Sequence, residues 1–424
     1  MIDPEDRFFS ESQSYFGSSE NPKTEAHCRV WDWDQLRLIK VKGTAKILLP
    51  EQEIEISIVR KLIDSLSPKV CAITVDDDGL VTGLSTDLED DDTLFYPHLP
   101  FSMFDSIKGC RTIQYSKLQE LDRLGPGVDL SSYEDETGAT HKVSFKFNPL
   151  EKPLRLQMAW DELHLLQKLH PHPNVVPFDR VVLDDEDVKP RVLGFTTKYI
   201  PGGTLENLTM PFRFAWLRQL TRLVDFLNLE MGIMHQDIAP RNLLIDPDTN
   251  NILLFDFDRA ARGENGLFNG RDDVAGVVFT IYELITRDTH FTDNPHWERT
   301  IDSVQSVSEW PCNHQLDADV SEFRNFLDGW IKKRTTDKTK DIERYLNAPE
   351  RDRFIWPDLP TAPDYDVPFK IRVKSDGEAI WRTGVRYRRN ALGMGQYCFR
   401  WERPPQSRLL NKAKAEATSV VDEE

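Results

Sequence analysis

The chain has 424 residues, enough for two or three structural units at roughly 100–200 residues each. With 39% hydrophobic and 29% charged residues it is globular rather than wholly disordered. Lys and Arg number 53 against 71 Asp and Glu, and a net charge of −18 suits neither nucleic-acid phosphates nor an anionic membrane surface, so neither is expected as a partner.

The five cysteines, Cys28, Cys71, Cys110, Cys312 and Cys398, are scattered and form no CxxC pair. That speaks against a disulfide framework or a structural zinc and for a reducing compartment. The N-terminus carries acids where a signal peptide carries bases, and the most apolar long stretch, 274–285, is too short to span a bilayer. A soluble, cytoplasmic protein is the expectation.

In chain order, residues 1–27 are polar with little periodicity and read as a disordered tail. Alternation from Cys28 onward predicts paired strands with Gly43 near the turn, opening a strand-containing accessory region at 28–116. Residues 53–66 fit a strand or a helix equally. Two acid clusters, 76–78 and 87–92, lack EF-hand spacing and read as solvated loops. Residues 118–147 read as strand, Gly turn, strand, turn, strand, and 160–170 as a helix that the prolines after it must end. A strand at 192–200 and a Pro201-Gly202-Gly203 turn follow, then a long helix at 212–231. A loop, a short hairpin around 252–257 and an apolar helix at 272–286 come next, with further helices at 323–333 and 339–346. Beyond Asn347 the chain is Pro-rich, and 369–401 has strand character. Its arginines, Arg382, Arg386, Arg388, Arg389, Arg400 and Arg403, have two roles open to them. They can neutralise the acidic body of the same chain, the simpler one, or meet an acidic partner. Strands first and helices later make an α+β pattern.

Chemistry concentrates at 235–245, where Asp237 and Asn242 stand five positions apart and Asp256 follows fourteen positions after Asn242. An Asp and an Asn so placed on a loop can serve one reaction, the Asp taking a proton from an attacking hydroxyl and the Asn oxygen binding Mg²⁺. The apolar runs on either side predict a hairpin that delivers Asp256 to the same metal.

The pattern HxDxxxxN followed by DF-x resembles the catalytic and metal-binding loops of the protein-kinase-like superfamily. The resemblance covers roughly residues 118–345 and implies a two-lobed fold, with an N-lobe at 117–200, a C-lobe at 201–347 and a Pro/Arg-rich extension at 348–424. It also implies ATP as phosphate donor with Mg²⁺. Lys146 resembles the lysine that holds the α- and β-phosphates, and Glu162 the helix acid that pairs with it. Gly125 and Gly127 resemble the start of the Gly-rich loop, whose backbone approaches phosphates closely. Thr197 and Tyr199 resemble hinge positions, with Thr197 as gatekeeper, and Leu244 is placed with the ATP-binding residues. Asp273 resembles the buried Asp that anchors the catalytic loop.

Four departures matter. Gln236 stands where the family carries Arg, and Asp258 where it carries Gly. Ala239 replaces the usual Lys two positions after the catalytic Asp, and Arg241 is the candidate for the missing positive charge at the γ-phosphate. Only seventeen positions separate Asp256 from Asp273, too few for a conventional activation segment. That shortness resembles the KEOPS-complex kinase subunit, the RIO kinases and the aminoglycoside/choline phosphotransferases. A divergent serine/threonine protein kinase is the leading expectation. A small-molecule kinase and a pseudokinase acting as a binding module are the alternatives, and the sequence does not name the acceptor.

Overall fold

Alternating burial sets the first sheet of the computed structural model, which describes residues 2–11, 25–48, 53–149, 153–261, 266–336, 354–358, 360, 368–373, 377–383 and 387–408. Strands β1 (Phe8–Glu11), β2 (Glu25–Asp32), β3 (Arg37–Thr44), β4 (Ala72–Val75) and β5 (Val81–Ser85) lie in that order. Helix α1 (Ile54–Leu62) covers one face. Its Ile58 and Val59, with Ile63 just beyond, close over Cys28, Val30, Ile39, Val41 and Ile73. The apolar spacing 54, 58, 62 is helical, which settles the ambiguous segment.

Two expectations are corrected in this sheet. The polar start of the chain includes a strand, because Phe8 is buried and pairs opposite Asp32 while Arg7 Nε donates to Asp32 at 2.9 Å. Residues 12–24 lie outside the described residues. Gly43 is not at the turn: it sits in β3 opposite Ala26, and the chain reverses at 33–36, where Leu36 takes φ 51°.

The second sheet has the order β6 (Thr112–Gln114), β10 (Phe178–Leu183), β11 (Val192–Lys198), β9 (Thr140–Phe147), β8 (Val128–Glu134), β7 (Gln119–Gly125). The chain divides into two compact units, the first comprising 1–152, 181–196 and 360–424, the second 153–180 and 197–359. Both sheets belong to the first unit, β10 and β11 through their residues within 181–196. They share one core, in which Trp31, Leu36 and Leu38 of the first sheet region meet Tyr133, Val143, Phe145 and Phe147 of the second. The expected boundary at 116/117 therefore divides a single packed body.

The C-terminal extension joins the same unit. It contains a hairpin, β14 (Pro368–Val373) with β15 (Ala379–Thr383), and a short helix α7 (Arg388–Gly393). Trp401 stacks on Phe147, ring centroids 4.7 Å apart and planes at 14°. Arg403 donates to Asp34 O at 2.9 Å and to Asp129 Oδ2 at 2.5 Å, and Arg388 and Arg389 reach Asp91 and Asp92, each at 3.0 Å. Asp91 and Asp92 are thus buried counter-ions and not the solvated loop acids their run suggests. Neutralisation within the chain is what these three arginines do. All five cysteines are free thiols.

The second unit is mainly helical. Helix α2 (Pro153–Leu169) leads in, and α3 (Phe214–Asp225) buries Trp216, Leu217, Leu220, Leu223 and Val224, a stripe at three- and four-residue spacing. A π-helical turn at Phe226–Met231 ends at Gly232, whose φ of 64° suits glycine. The hairpin β12 (Leu243–Ile245) with β13 (Ile252–Leu254) follows. Helix α4 (Asp273–Thr286) is capped by Asp272, whose side chain accepts from Ala275 N. Then come α5 (Ile301–Gln305) and α6 (Val320–Thr336). The helix expected at 339–346 lies outside the described residues. No helix among the described residues is long and apolar enough to cross a membrane.

Candidate active site

Asp273, at the first position of α4 and fully buried, organises the loop before β12. Its Oδ2 accepts from His235 N and Asn228 Nδ2, each at 2.8 Å, and its Oδ1 accepts from Gln236 N at 2.6 Å. Burial pushes its pKa up, opposed by His235 and by these donors. Arg334 Nη2 donates to Asn228 Oδ1 at 2.8 Å and braces the network from α6. Replacing Asp273 with Ala leaves three N–H groups buried without an acceptor, at about 1–3 kcal/mol each. The expected result is a loss of several kcal/mol, read as a fall in the urea midpoint. An unchanged midpoint would show that Asp273 does not support the loop.

Two non-glycine residues here take the left-handed region, Gln236 in this loop at φ 65° and Asp256 just past β13 at φ 63°. Such strain collects where a fixed geometry is needed. His235 Nδ1 accepts from Asp237 N at 3.2 Å and its Nε2 lies 3.1 Å from Phe255 O, linking the loop to the end of β13.

Asn242 closes a short turn, Pro240–Asn242, and its Nδ2 donates to Asp237 O at 2.8 Å and Asp237 Oδ2 at 3.0 Å. The hairpin register, with Phe255 N donating to Asn242 O at 3.2 Å, puts Asn242 and Asp256 at the same end. The amide nitrogen of Asn242 is spent on Asp237, so its oxygen is the atom left for a cation. Asn242 Oδ1 and the Asp256 carboxylate are hard oxygens of the kind Mg²⁺ takes, so these are the two residues that could hold the ion.

Asp237 is nearly buried and ringed by arginines. Its Oδ1 accepts from Arg241 Nη2 at 2.7 Å and Arg271 Nη1 at 2.9 Å, and Arg259 Nε is 3.9 Å from Oδ2. Burial works to raise its pKa, but Arg241, then Arg259 and Arg271, outweigh it and hold the carboxyl below its ordinary value. Glu162 is buried on α2, where its Oε1 accepts from Phe257 N at 3.1 Å and ties the helix to the segment after Asp256.

Gln236 uses its whole side chain on the short segment between Asp256 and Asp273. Its Nε2 donates to Arg259 O at 2.8 Å and Gly266 O at 2.9 Å, and its Oε1 accepts from Phe268 N at 2.7 Å. Where the resembling family has a phosphate-receiving Arg, this chain has a neutral fastener.

The remaining candidates fall in two places. Leu244, half-buried, packs with Val176, Ile200 and Leu253 in the second unit. Thr197 and Tyr199, both half-buried, begin that unit's second segment. Lys146, Gly125 and Gly127 lie in the first unit. The register sets Lys146 opposite Val128, next to the glycine turn. Gly127 has φ 72°, and a Cβ there would meet Phe147 O at 2.6 Å, so glycine is required. A Cβ on Gly125 would meet nothing within 4 Å. Arg271, Asn228 and Arg334 were not singled out from sequence. Their partners lie 34, 45 and 106 positions away, and no local spacing marks them.

Residues 133–276 match the protein kinase domain family. Over 110 residues the chain is 31% identical to casein kinase II subunit alpha' of Saccharomyces cerevisiae, a stretch amounting to 26% of this chain and 32% of that protein. The chain thus spans about a third of the length of that curated relative. The middle of the chain is protein-kinase-like, and its mixed α/β architecture agrees with the α+β, kinase-like fold class expected.

Proposed function

We propose that the protein is an ATP- and Mg²⁺-dependent phosphotransferase acting on a hydroxyl, specifically a divergent serine/threonine protein kinase. The observation that carries this is the double hydrogen bond from Asn242 Nδ2 to the backbone and side chain of Asp237. It fixes a base beside a metal-facing oxygen, and phosphoryl transfer asks mainly for such positioning and for charge neutralisation. Asp237 orients the acceptor hydroxyl and takes its proton. Arg241 turns to the γ-phosphate as charge develops there. Asn242 and Asp256 hold Mg²⁺, which neutralises the phosphates when bound. Lys146, with the turn from Gly125 to Gly127, binds the nucleotide phosphates, and Glu162, Thr197, Tyr199 and Leu244 complete the ATP-binding set. The short segment after Asp256 supports a second reading, a small-molecule kinase of the aminoglycoside/choline phosphotransferase type.

Transfer of labelled γ-phosphate from ATP by the purified chain to protein and metabolite pools tests the activity and separates the two acceptor classes. In the same assay Asp256→Asn should weaken Mg·ATP binding by about ten- to hundredfold, since one charged oxygen ligand is lost. Equal Mg·ATP affinity in that variant would remove Asp256 from the metal site.

A further inference from the structure

The first sheet ends in β5, and among the described residues no strand lies beyond it. One side of its backbone pairs with β4. The other faces outward, with the N–H and C=O groups that an edge strand leaves unpaired. Sheets ordinarily guard such an edge with charge, proline or irregular pairing. The outer strand of the second sheet, β7, carries Glu120, Asp122 and Arg123 and two register shifts. β5 has neither charge nor proline, and its one register shift, where pairing passes from Gly83 to Val81, falls near its start.

The edge is also apolar. Val81 and Leu84 stand opposite Val75 and Ile73, so they share the face that α1 covers. Ile73 and Val75 are buried, whereas Val81 is 41% and Leu84 53% exposed, so the core runs out to the edge and stops uncovered. Leu80 and Leu88, on either side, are exposed as well. A cluster of large apolar side chains on a paired strand marks an interaction surface. Acids bracket it, Asp76, Asp77 and Asp78 before the strand and Asp87 and Glu89 after it. Lys46 and Arg389 meet them only at long range, 3.9 Å from Asp77 and 3.8 Å from Glu89. A second copy adding its own β5, parallel or antiparallel, would set acids against acids at both ends. A strand with bases at its ends meets no such opposition.

We propose that β5 is the docking edge for an extended segment of a partner protein, apolar at alternate positions and carrying Lys or Arg at both ends. The segment adds as a sixth strand, its backbone taking up the open ladder of β5. Its alternate apolar side chains lie beside Val81 and Leu84 and carry the core past its present margin. Its terminal bases face the acids on either side of β5, which fix where along the edge it sits. The surface belongs to the first unit and uses none of the residues assigned to phosphate transfer.

The test uses the full chain and labelled peptides of alternating Val and Thr, followed by fluorescence anisotropy. One peptide has lysines at both ends, one has glutamates there, and one is the lysine peptide with a central proline. The lysine peptide should bind about tenfold more tightly than the glutamate peptide at low salt, the scale of a few exposed ion pairs. Added KCl should narrow that gap. The proline peptide should not bind, because it cannot complete the ladder. Amide exchange at residues 81–85 should slow when the lysine peptide is present. Leu84→Lys should weaken its binding by about tenfold or more through lost apolar contact and like charge. If Leu84→Lys does not fold, the double variant Asp78→Lys with Glu89→Lys decides, both positions being exposed. It should turn the preference toward the glutamate peptide. No binding of the lysine peptide overturns the proposal, and so does equal binding of the proline peptide. Binding without slowed exchange at 81–85 places the contact elsewhere and overturns it too. A dimer in sedimentation whose 81–85 amides are protected without any peptide would make a second copy the occupant and defeat the proposed one.

Discussion

Asp237→Asn should lower phosphoryl transfer by about 10²–10⁴-fold, the range that a positioned general base contributes. Nucleotide binding should stay close to wild type, because the proposed base serves the acceptor and not the nucleotide, and Asn can still accept from Arg241 and Arg271. Paired measurement of nucleotide affinity and turnover checks this, and wild-type turnover in the variant would refute the assignment. The pH dependence follows from the same environment. In the proposed role the ionised carboxylate is the active form, and its arginines hold its pKa below the ordinary Asp value. The base is therefore present at every pH above that lowered value and is lost only as pH falls through it. Ordinary Asp titrates near pH 3.9, so no acid limb between about pH 5 and 7 should come from this group.

The second large effect concerns a chain cut after Arg386. The cut removes Trp401 from the stack with Phe147 and takes away the arginines that face Asp91, Asp92 and Asp129. Losing a buried Trp costs about 3–5 kcal/mol, and uncompensated buried carboxylates add to that. Domains have about 5–15 kcal/mol to lose. The first unit should therefore fail to unfold as a cooperative body, seen as the loss of its calorimetric transition. Trp401→Ala should give a graded version, destabilised by about 3–5 kcal/mol. A truncated chain that melts like the full one would show that the extension is not part of the core.

What the sequence made legible was local. The stripe of α3, the hairpin β12–β13 and the Asp237–Asn242 spacing depend on residues a few positions apart, and each is found where its pattern implied. Glu162 was nominated through the resemblance and not by its own surroundings, since alone it reads as a helix-surface acid; it is buried and bonded to the segment after Asp256. What escaped was non-local. Asp91 is buried because Arg388 arrives from 297 positions away, and a run of acids alone reads as solvated. The four-residue strand β1 has too little alternation to show a period, and only its pairing with β2 defines it. Gln236 signals a missing Arg in sequence, but its grip on Arg259, Gly266 and Phe268 needs the fold.

The discontinuity of the first unit has a consequence for biosynthesis. A ribosome releases the sheets of this unit first, yet Trp401 and Arg403, which complete their core and counter-charges, come some 250 residues after β9. The second unit is complete by residue 359. The nascent chain thus holds an unfinished hydrophobic face, Phe147 and Tyr115 among it, until Trp401 has been made. Domains ordinarily fold from the N-terminus as they emerge. Here the order is reversed: the later-encoded unit can settle first, and the earlier one is completed only once Trp401 and Arg403 emerge.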